Sequence, residues 1–276
     1  MKIFLKMAKI QEYIKEKIKM IILKLFGEKG FRKIRTVYWT RRWKGGKYCE
    51  KEIINYLPRL VHPGDICIDV GAGFGEYTYA LSKLVGPRGK VFSFEPIDYI
   101  FKILEDIVKK LKLTNVKIEK VALGDKDGEL EFSIPLNDKN IPNFALAHLR
   151  TGGEIKNRTE RVKVTTLDEL SQKHPFLNQA TFIKCDVEGR ELMVFKGGEN
   201  LIRKSHPIIL SEIEERWTKR YGYSPEDVLN FLEKLGYQSF ILLSGKLKKV
   251  KNIQDSLNNY FFIHKNLMPN FEKELL

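Results

Sequence analysis

The sequence predicts an α/β fold, a mostly parallel sheet with helices on both faces and a helical extension at the N-terminus. Three observations predict it. The stretch Cys67 to Pro96 reads as strand, glycine loop, helix and strand, a βαβ unit. Apolar runs suited to buried strands then alternate with helical periodicity as far as His264. Four of those runs end in or beside an acid: Asp69, Glu95, Asp186 and Glu212. At 276 residues and 43% hydrophobic, the chain can bury one large core with a small appendage.

The charge divides the chain in two. Its net charge is +14, and residues 1–60 carry 17 Lys and Arg against 5 Asp and Glu, a net +12 that leaves +2 for the rest. The basicity therefore belongs to the N-terminal segment and not to the predicted catalytic body, which argues against an extended nucleic-acid surface. Two domains are expected: a basic extension or lid over 1–49 and a catalytic domain over 50–276. Cys49, Cys67 and Cys185 are scattered without a C-x-x-C spacing, so reduced thiols in a cytoplasmic protein are expected rather than a zinc site. No apolar run reaches the ~18 residues that a membrane-spanning helix needs. Lysines interrupt the N-terminus where a signal peptide would be continuously apolar.

Residues 1–26 place Ile3, Met7, Ile10, Ile14, Ile18, Ile21 and Leu25 at spacings of three and four, with lysines between, and Gly27 and Gly30 are expected to end this helix. Such a face suits packing on the body, pairing of two copies into a homo-oligomer, or peripheral contact with an anionic membrane. Residues 31–63 interleave Phe31, Tyr38, Trp39, Trp43 and Tyr48 with arginines and read as a lid over a nucleotide pocket. A short helix is expected over 50–60. Residues 98–112 read as a helix, and 116–121 as a third strand running into Gly124-Asp125. Residues 133–163 carry scattered Pro, Gly and Asn and read as a long loop of the acceptor site, with Asn143, His148 and Arg150 its polar candidates. Thr166 with Glu169 and Ser224 with Pro225 mark helix starts. Strands are expected over 181–186, 207–213, 237–243 and 260–264.

Glycines let the backbone approach a ligand, and a helix N-terminus offers free N–H groups. A dinucleotide site would place glycine where Glu76 stands, with pyrophosphate on that helix. A carboxylate there repels pyrophosphate and suits a ligand bearing positive charge. S-adenosylmethionine (AdoMet), with its sulfonium and ammonium, is such a ligand, and Asp69 fits it too. Glu95, at the end of the second strand, can accept hydrogen bonds from ribose hydroxyls. The order Asp-Val-Gly-Ala-Gly-x-Gly, then Phe-Glu-Pro, resembles the first motif and second-strand acid of class I AdoMet-dependent methyltransferases.

The later elements V-A-L-G-D, T-L-D-E-L, I-K-C-D-V-E-G-x-E and P-I-I-L-S-E-I follow in one order. Over about residues 50 to 265 the chain resembles the FkbM family of AdoMet-dependent methyltransferases. The resemblance implies a Rossmann-like class I methyltransferase fold with a seven-stranded, mostly parallel sheet, and O-methylation of a sugar or small natural-product hydroxyl. The expected cofactor residues are Asp69, Gly71, Ala72, Gly73, Gly75, Glu76, Thr78, Glu95, Pro96, Ala122, Asp125 and Asp186. The expected catalytic acids are Asp186, Glu188 and Glu212, with Asp186 as the base that draws off the hydroxyl proton. The same three could instead ligate Mg²⁺ and so acidify that hydroxyl. The acceptor is expected to be a small-molecule or glycan hydroxyl. A nucleic-acid acceptor is disfavoured because the D/N-P-P-Y element of amino-methylating enzymes is absent.

Overall fold

Buried apolar strands beside glycine turns dictate the central layer of the molecule. The computed structural model describes residues 2–276 apart from 138–141, 143, 145–146, 151–156 and 254–256, and side chains from Ile21 onward apart from Leu23. The helices are α1 (Lys2–Lys44), α2 (Lys51–Tyr56), α3 (Glu76–Val85), α4 (Asp98–Leu111), α5 (Leu167–Lys173), α6 (Glu191–Lys196), α7 (Glu199–Ser205), α8 (Glu215–Thr218) and α9 (Pro225–Lys234). The strands are β1 (Ile66–Val70), β2 (Lys90–Phe94), β3 (Val116–Glu119), β4 (Ala122–Leu123), β5 (Gly128–Ile134) and β6 (His148–Leu149), then β7 (Arg158–Thr165), β8 (Phe182–Cys185), β9 (Ile208–Glu212), β10 (Tyr237–Leu243), β11 (Lys246–Val250) and β12 (Asn259–His264).

The main sheet runs in the order β11-β10-β12-β9-β8-β1-β2-β3. The five strands from β9 to β3 are parallel, and β12, β10 and β11 add on antiparallel. From β1 the chain winds outward through β2 and β3, then returns to β8 on the other flank. Strand order thus reverses between β1 and β8, and an open sheet binds ligands outside the carboxyl ends of the strands at such a point. Side chains alternate between two cores. Ile68, Val70, Ile183 and Cys185 face one, and Cys67, Phe182, Leu210 and Phe261 face the other. Cys67 and Cys185 are buried free thiols, as expected of core strands, and Cys49 is exposed.

Three expectations are corrected. Among the described residues the main sheet has eight strands rather than seven, because Lys246–Val250 pairs with β10 as a lysine-rich edge strand. Lysines on an edge discourage pairing with other chains, and they also hide the strand's periodicity. Within the expected loop 133–163, residues 133–134, 148–149 and 158–163 are instead part of a second, four-stranded sheet, β4-β7-β5-β6. Its apolar residues Leu130, Phe132, Val162 and Val164 alternate with Glu129 and Glu131, which stand opposite Lys163 and Arg161. These opposed charges support the pairing while making the sequence read as polar. Asn143, one of the watched polar residues, lies outside the described residues.

The third correction concerns α1. It kinks at Gly27, whose φ is 64°, and continues to Lys44 instead of stopping. A lone left-handed glycine can redirect a helix without ending it. Beyond the kink the helix packs on α4, with an Arg32–Asp106 ion pair at 2.6 Å and Trp43 only 1% exposed. The apolar face expected over 1–26 falls mostly on side chains outside the described set. The expected caps are present: Thr166 Oγ1 accepts from Glu169 N at 3.0 Å, and Ser224 forms a capping box with Asp227.

Candidate functional site

The glycine loop after β1 is shaped by what it must pass. Gly71 has φ +75°, and a Cβ there would stand 1.8 Å from the Asp186 carbonyl oxygen. Only glycine lets β1 and β8 close on each other at this level. Gly71 N and Ala72 N both donate to Phe94 O at 3.0 Å, which ties the loop to the end of β2. Gly73 N then donates to Glu95 Oε2 at 3.0 Å, and Ile97 N donates to Oε1 at 2.8 Å. Burial pushes the Glu95 carboxyl up to about 7, and these two amides oppose the rise.

A cavity of about 220 Å³ opens beyond this loop at the carboxyl ends of β1, β2 and β8. Of the expected cofactor residues, Gly71, Gly73, Glu95, Pro96, Ala122 and Asp186 line it. The others do not. Asp69 is 1% exposed and accepts from Thr78 Oγ1 at 2.6 Å, while Thr78 shares a second hydrogen bond with Ser93 at 2.9 Å. Asp69 and Thr78 brace the loop from behind. Ala72 serves through its backbone, and Gly75, with φ +83°, turns the chain into α3. The Glu76 carboxylate is taken by the backbone amides of Cys49 and Glu50. Asp125 lies off the cavity wall, 3.9 Å from Arg190.

Phe74 is a cavity residue that the motif reading passed over. Its carbonyl accepts from Trp43 Nε1 at 2.8 Å, the Arg35 guanidinium carbon lies 4.3 Å from its ring centre, and Trp39 stacks on it at 5.2 Å. The aromatic and basic part of α1 therefore holds one wall of the cavity.

Next to this cavity, the loop after β8 and the end of β9 bring Asp186, Glu188, Glu212 and Glu214 around a small cleft against Trp217. Asp186 and Glu188 line both the cavity and the cleft. Glu188 has a left-handed backbone, φ 53°, a conformation that non-glycine residues seldom adopt outside functional loops. Burial, then the neighbouring Asp186 charge, pushes Glu188 up to about 8 and Glu212 up to about 9. Glu191 adds a fifth acid. Buried at the start of α6, it accepts from Val187 N at 3.2 Å and Gly189 N at 3.0 Å, and burial pushes it up to about 7.

The Mg²⁺ site expected of Asp186, Glu188 and Glu212 is not formed. Among the described residues no three Asp, Glu, His or Cys side chains converge as metal ligands do. The cation beside these acids is instead Lys184, 1% exposed, with its Nζ 3.6 Å from Asp186 Oδ2. A lysine inside the run Phe182-Ile183-Lys184-Cys185 was the available signal, and a pattern search for apolar strands passes over it. Of the other watched residues, His148 is 5% exposed with its ring 5.5 Å from Trp217, and Arg150 pairs with Glu131 at 2.8 Å. His206 stacks on His264 at 3.8 Å, at the far end of β9 from Glu212.

The model of the methyltransferase FkbM domain matches residues 69–239, more than half of the chain. The chain belongs to the FkbM methyltransferase family. The match runs from the buried Asp69 through the loop, the second-strand acid and the acid cleft. A hexuronic acid methyltransferase, AglP, of Haloferax volcanii is 25% identical over 209 residues, covering 75% of this chain and 74% of that protein. A protein-L-isoaspartate O-methyltransferase of Methanococcus aeolicus is 29% identical over 98 residues, 33% of this chain and only 44% of that protein's length. Among solved structures, an FkbM methyltransferase from Methylobacillus flagellatus aligns with 84% of this chain and 59% of its own, at 13% identity and a TM-score of 0.46. As an FkbM family member the chain carries the family's methyltransferase domain, built on a mostly parallel sheet with helices around it.

The raised acids set the sign of a pH dependence. Asp69 is pushed up to about 6, Glu95 and Glu191 to about 7, Glu188 to about 8 and Glu212 to about 9, with burial the leading cause in each. Unfolded, they would titrate near ~4. The folded protein therefore holds protons that the unfolded chain has released, and stability falls as pH rises through these folded values. Asp98, Glu131 and Asp227 are held low by Lys, Arg and Ser partners. Their contribution is lost only as pH falls below their unfolded values, so it is constant in this window. The thermal midpoint of the ligand-free protein is expected to fall steadily from pH 6 to pH 9. A midpoint that rises over this range in calorimetry would show the acids to be solvated.

Proposed function

We propose that the protein transfers methyl from AdoMet to a hydroxyl oxygen of an acidic sugar, with Asp186 as the general base. One observation carries the assignment of the base. Asp186 and Glu188 are the acids that line both the cofactor cavity and the neighbouring cleft, and Glu188, pushed up to about 8, keeps its proton at neutral pH. Burial and the neighbouring Asp186 charge push Glu212 up in the same direction. Asp186, which lines both spaces, takes the hydroxyl proton as the oxygen bonds to the methyl carbon and the methyl–sulfur bond breaks, releasing S-adenosylhomocysteine. In the cavity, Glu95 accepts from the ribose hydroxyls and Gly71 and Gly73 let the backbone approach the cofactor. Methyl transfer from a sulfonium is an in-line displacement, so alignment of oxygen and methyl supplies much of the rate.

Two features support an acidic sugar. The relative from Haloferax volcanii, similar over three quarters of the chain, acts by its name on a hexuronic acid. The cleft is bordered by Trp217, flanked by the guanidinium carbons of Arg216 at 5.2 Å and Arg220 at 4.6 Å from its ring centre. Arg216 is taken by Glu214, and the Trp217 face with the Arg220 guanidinium beside it suits a sugar ring that carries a carboxylate. Incubation with AdoMet and methyl glycosides of glucose, glucuronic acid and galacturonic acid, read by mass spectrometry, tests this. A uronic glycoside is expected to gain one methyl with kcat/KM at least about tenfold above the glucoside, one charge-assisted contact's worth. Transfer to the glucoside alone would overturn the acidic-sugar reading.

A further inference from the structure

Lys184, the lysine of the I-K-C-D-V-E-G-x-E element, has no part in the proposed chemistry. Its ammonium is fully enclosed and, among the described residues, makes no hydrogen bond. A buried charge without partners is among the most expensive groups a fold can hold, so its surroundings must compensate it electrostatically. They do so from four sides. Asp186 Oδ2, two residues along the same strand end, is 3.6 Å away. The face of Tyr77 on α3 lies 5.1 Å from Nζ, and the Tyr77 hydroxyl donates to Glu50 Oε2 at 2.6 Å. Asn259 on β12 fixes the other Glu50 oxygen, Nδ2 to Oε1, at 2.6 Å. Glu212 ends β9, the strand alongside. Asp69 on β1 and the Cys185 thiol complete the titratable groups around it. Burial alone would pull the ammonium down, but Asp186, Glu50 and Glu212 outweigh it and push it up, so it stays charged.

We propose that Lys184 is the positioning residue of the transfer site: its ammonium holds the Asp186 carboxylate at the cavity wall and supplies the positive charge that lets Asp186, Glu212 and Glu50 stand together. The part concerning Asp186 rests on the proposed role of that residue as base. The arrangement also joins the segment after α1 to the site, because Glu50 directly precedes α2 while its carboxylate reaches Tyr77 and Asn259.

Three variants test it: Lys184→Met, which keeps the aliphatic bulk, Glu212→Gln, and the double variant. Thermal melts need no acceptor, so they read the proposal even if the acidic-sugar assignment fails. The midpoint deficit of Lys184→Met is expected to widen from pH 6 to pH 9, as the surrounding acids lose their protons, and the double variant is expected to recover part of it at pH 9 and above, where Glu212 ionises, and little at pH 7. If Lys184→Met alone does not fold, folding of the double variant is the expected rescue. With whichever glycoside is methylated, Lys184→Met should lose about a hundredfold in kcat, the scale of a displaced base, while AdoMet affinity by calorimetry stays within about threefold. A deficit equal at every pH with no recovery in the double variant would reduce Lys184 to packing. A loss of AdoMet affinity as large as the loss of kcat would overturn the positioning role.

Discussion

Gly71→Ala is expected to abolish measurable AdoMet binding and to destabilise the protein by several kcal/mol. Two costs combine. The residue sits at φ +75°, where an L side chain costs about 1–2 kcal/mol. The added Cβ would also stand 1.8 Å from the Asp186 carbonyl oxygen and 2.9 Å from its carbon, both backbone atoms that cannot rotate away. Relief requires β1 and β8 to separate where Asp186 N donates to Val70 O at 3.0 Å, and that shift moves the proposed base and the cofactor loop together. Overpacking against backbone costs about 1–3 kcal/mol or more, on top of the φ term. Gly222→Ala is the matched control. Its φ is +76° in the left-handed region but nothing lies within 4 Å of the added atom, so only the conformational cost applies. Denaturant melts and AdoMet calorimetry of the two variants separate collision from conformation. Similar losses in both would mean that β1 and β8 yield easily.

Asp186→Asn is expected to lower kcat by about 10²- to 10⁴-fold, the usual range for a general base, while AdoMet affinity changes by only a few fold. The amide keeps the shape and the contact with the cavity wall but cannot take the hydroxyl proton. Glu212→Gln, which replaces an acid that burial pushes up and that does not line the cofactor cavity, should cost far less. Single-turnover rates with a uronic glycoside make the comparison. Equal losses in the two variants would place the base elsewhere.

The cofactor half of the site was legible in the sequence because its requirements are local. A tight turn past another strand needs glycine at Gly71, and a β1–loop–α3–β2 unit sets its own periodicity. Helix starts at Thr166 and Ser224 were legible for the same reason, since a cap is read within four residues. What depended on distant partners was not. Glu76 carries the charge that suits a cationic ligand, yet its carboxylate is taken by amides 26 and 27 residues earlier. The β5–β7 pair was hidden by cross-strand charges that only make sense once the strands are opposed. Gly27 bends α1 instead of ending it, because Phe31 to Trp43 find a surface on α4 and Phe74. Lys184 could be read as a site residue only after Glu50, Tyr77 and Glu212 were seen to converge on it.

In the proposed site Glu95 holds the cofactor in the cavity beside Gly71 and Gly73. Calorimetric titration of AdoMet into the wild-type protein and Glu95→Ala at pH 8, above the value of about 7 to which Glu95 is pushed, tests it most directly. One site per chain is expected in the wild type, with binding at least about tenfold weaker in the variant, the loss of one charge-assisted hydrogen-bonding group. No heat of binding from folded wild type, or the same affinity in both proteins, would contradict it.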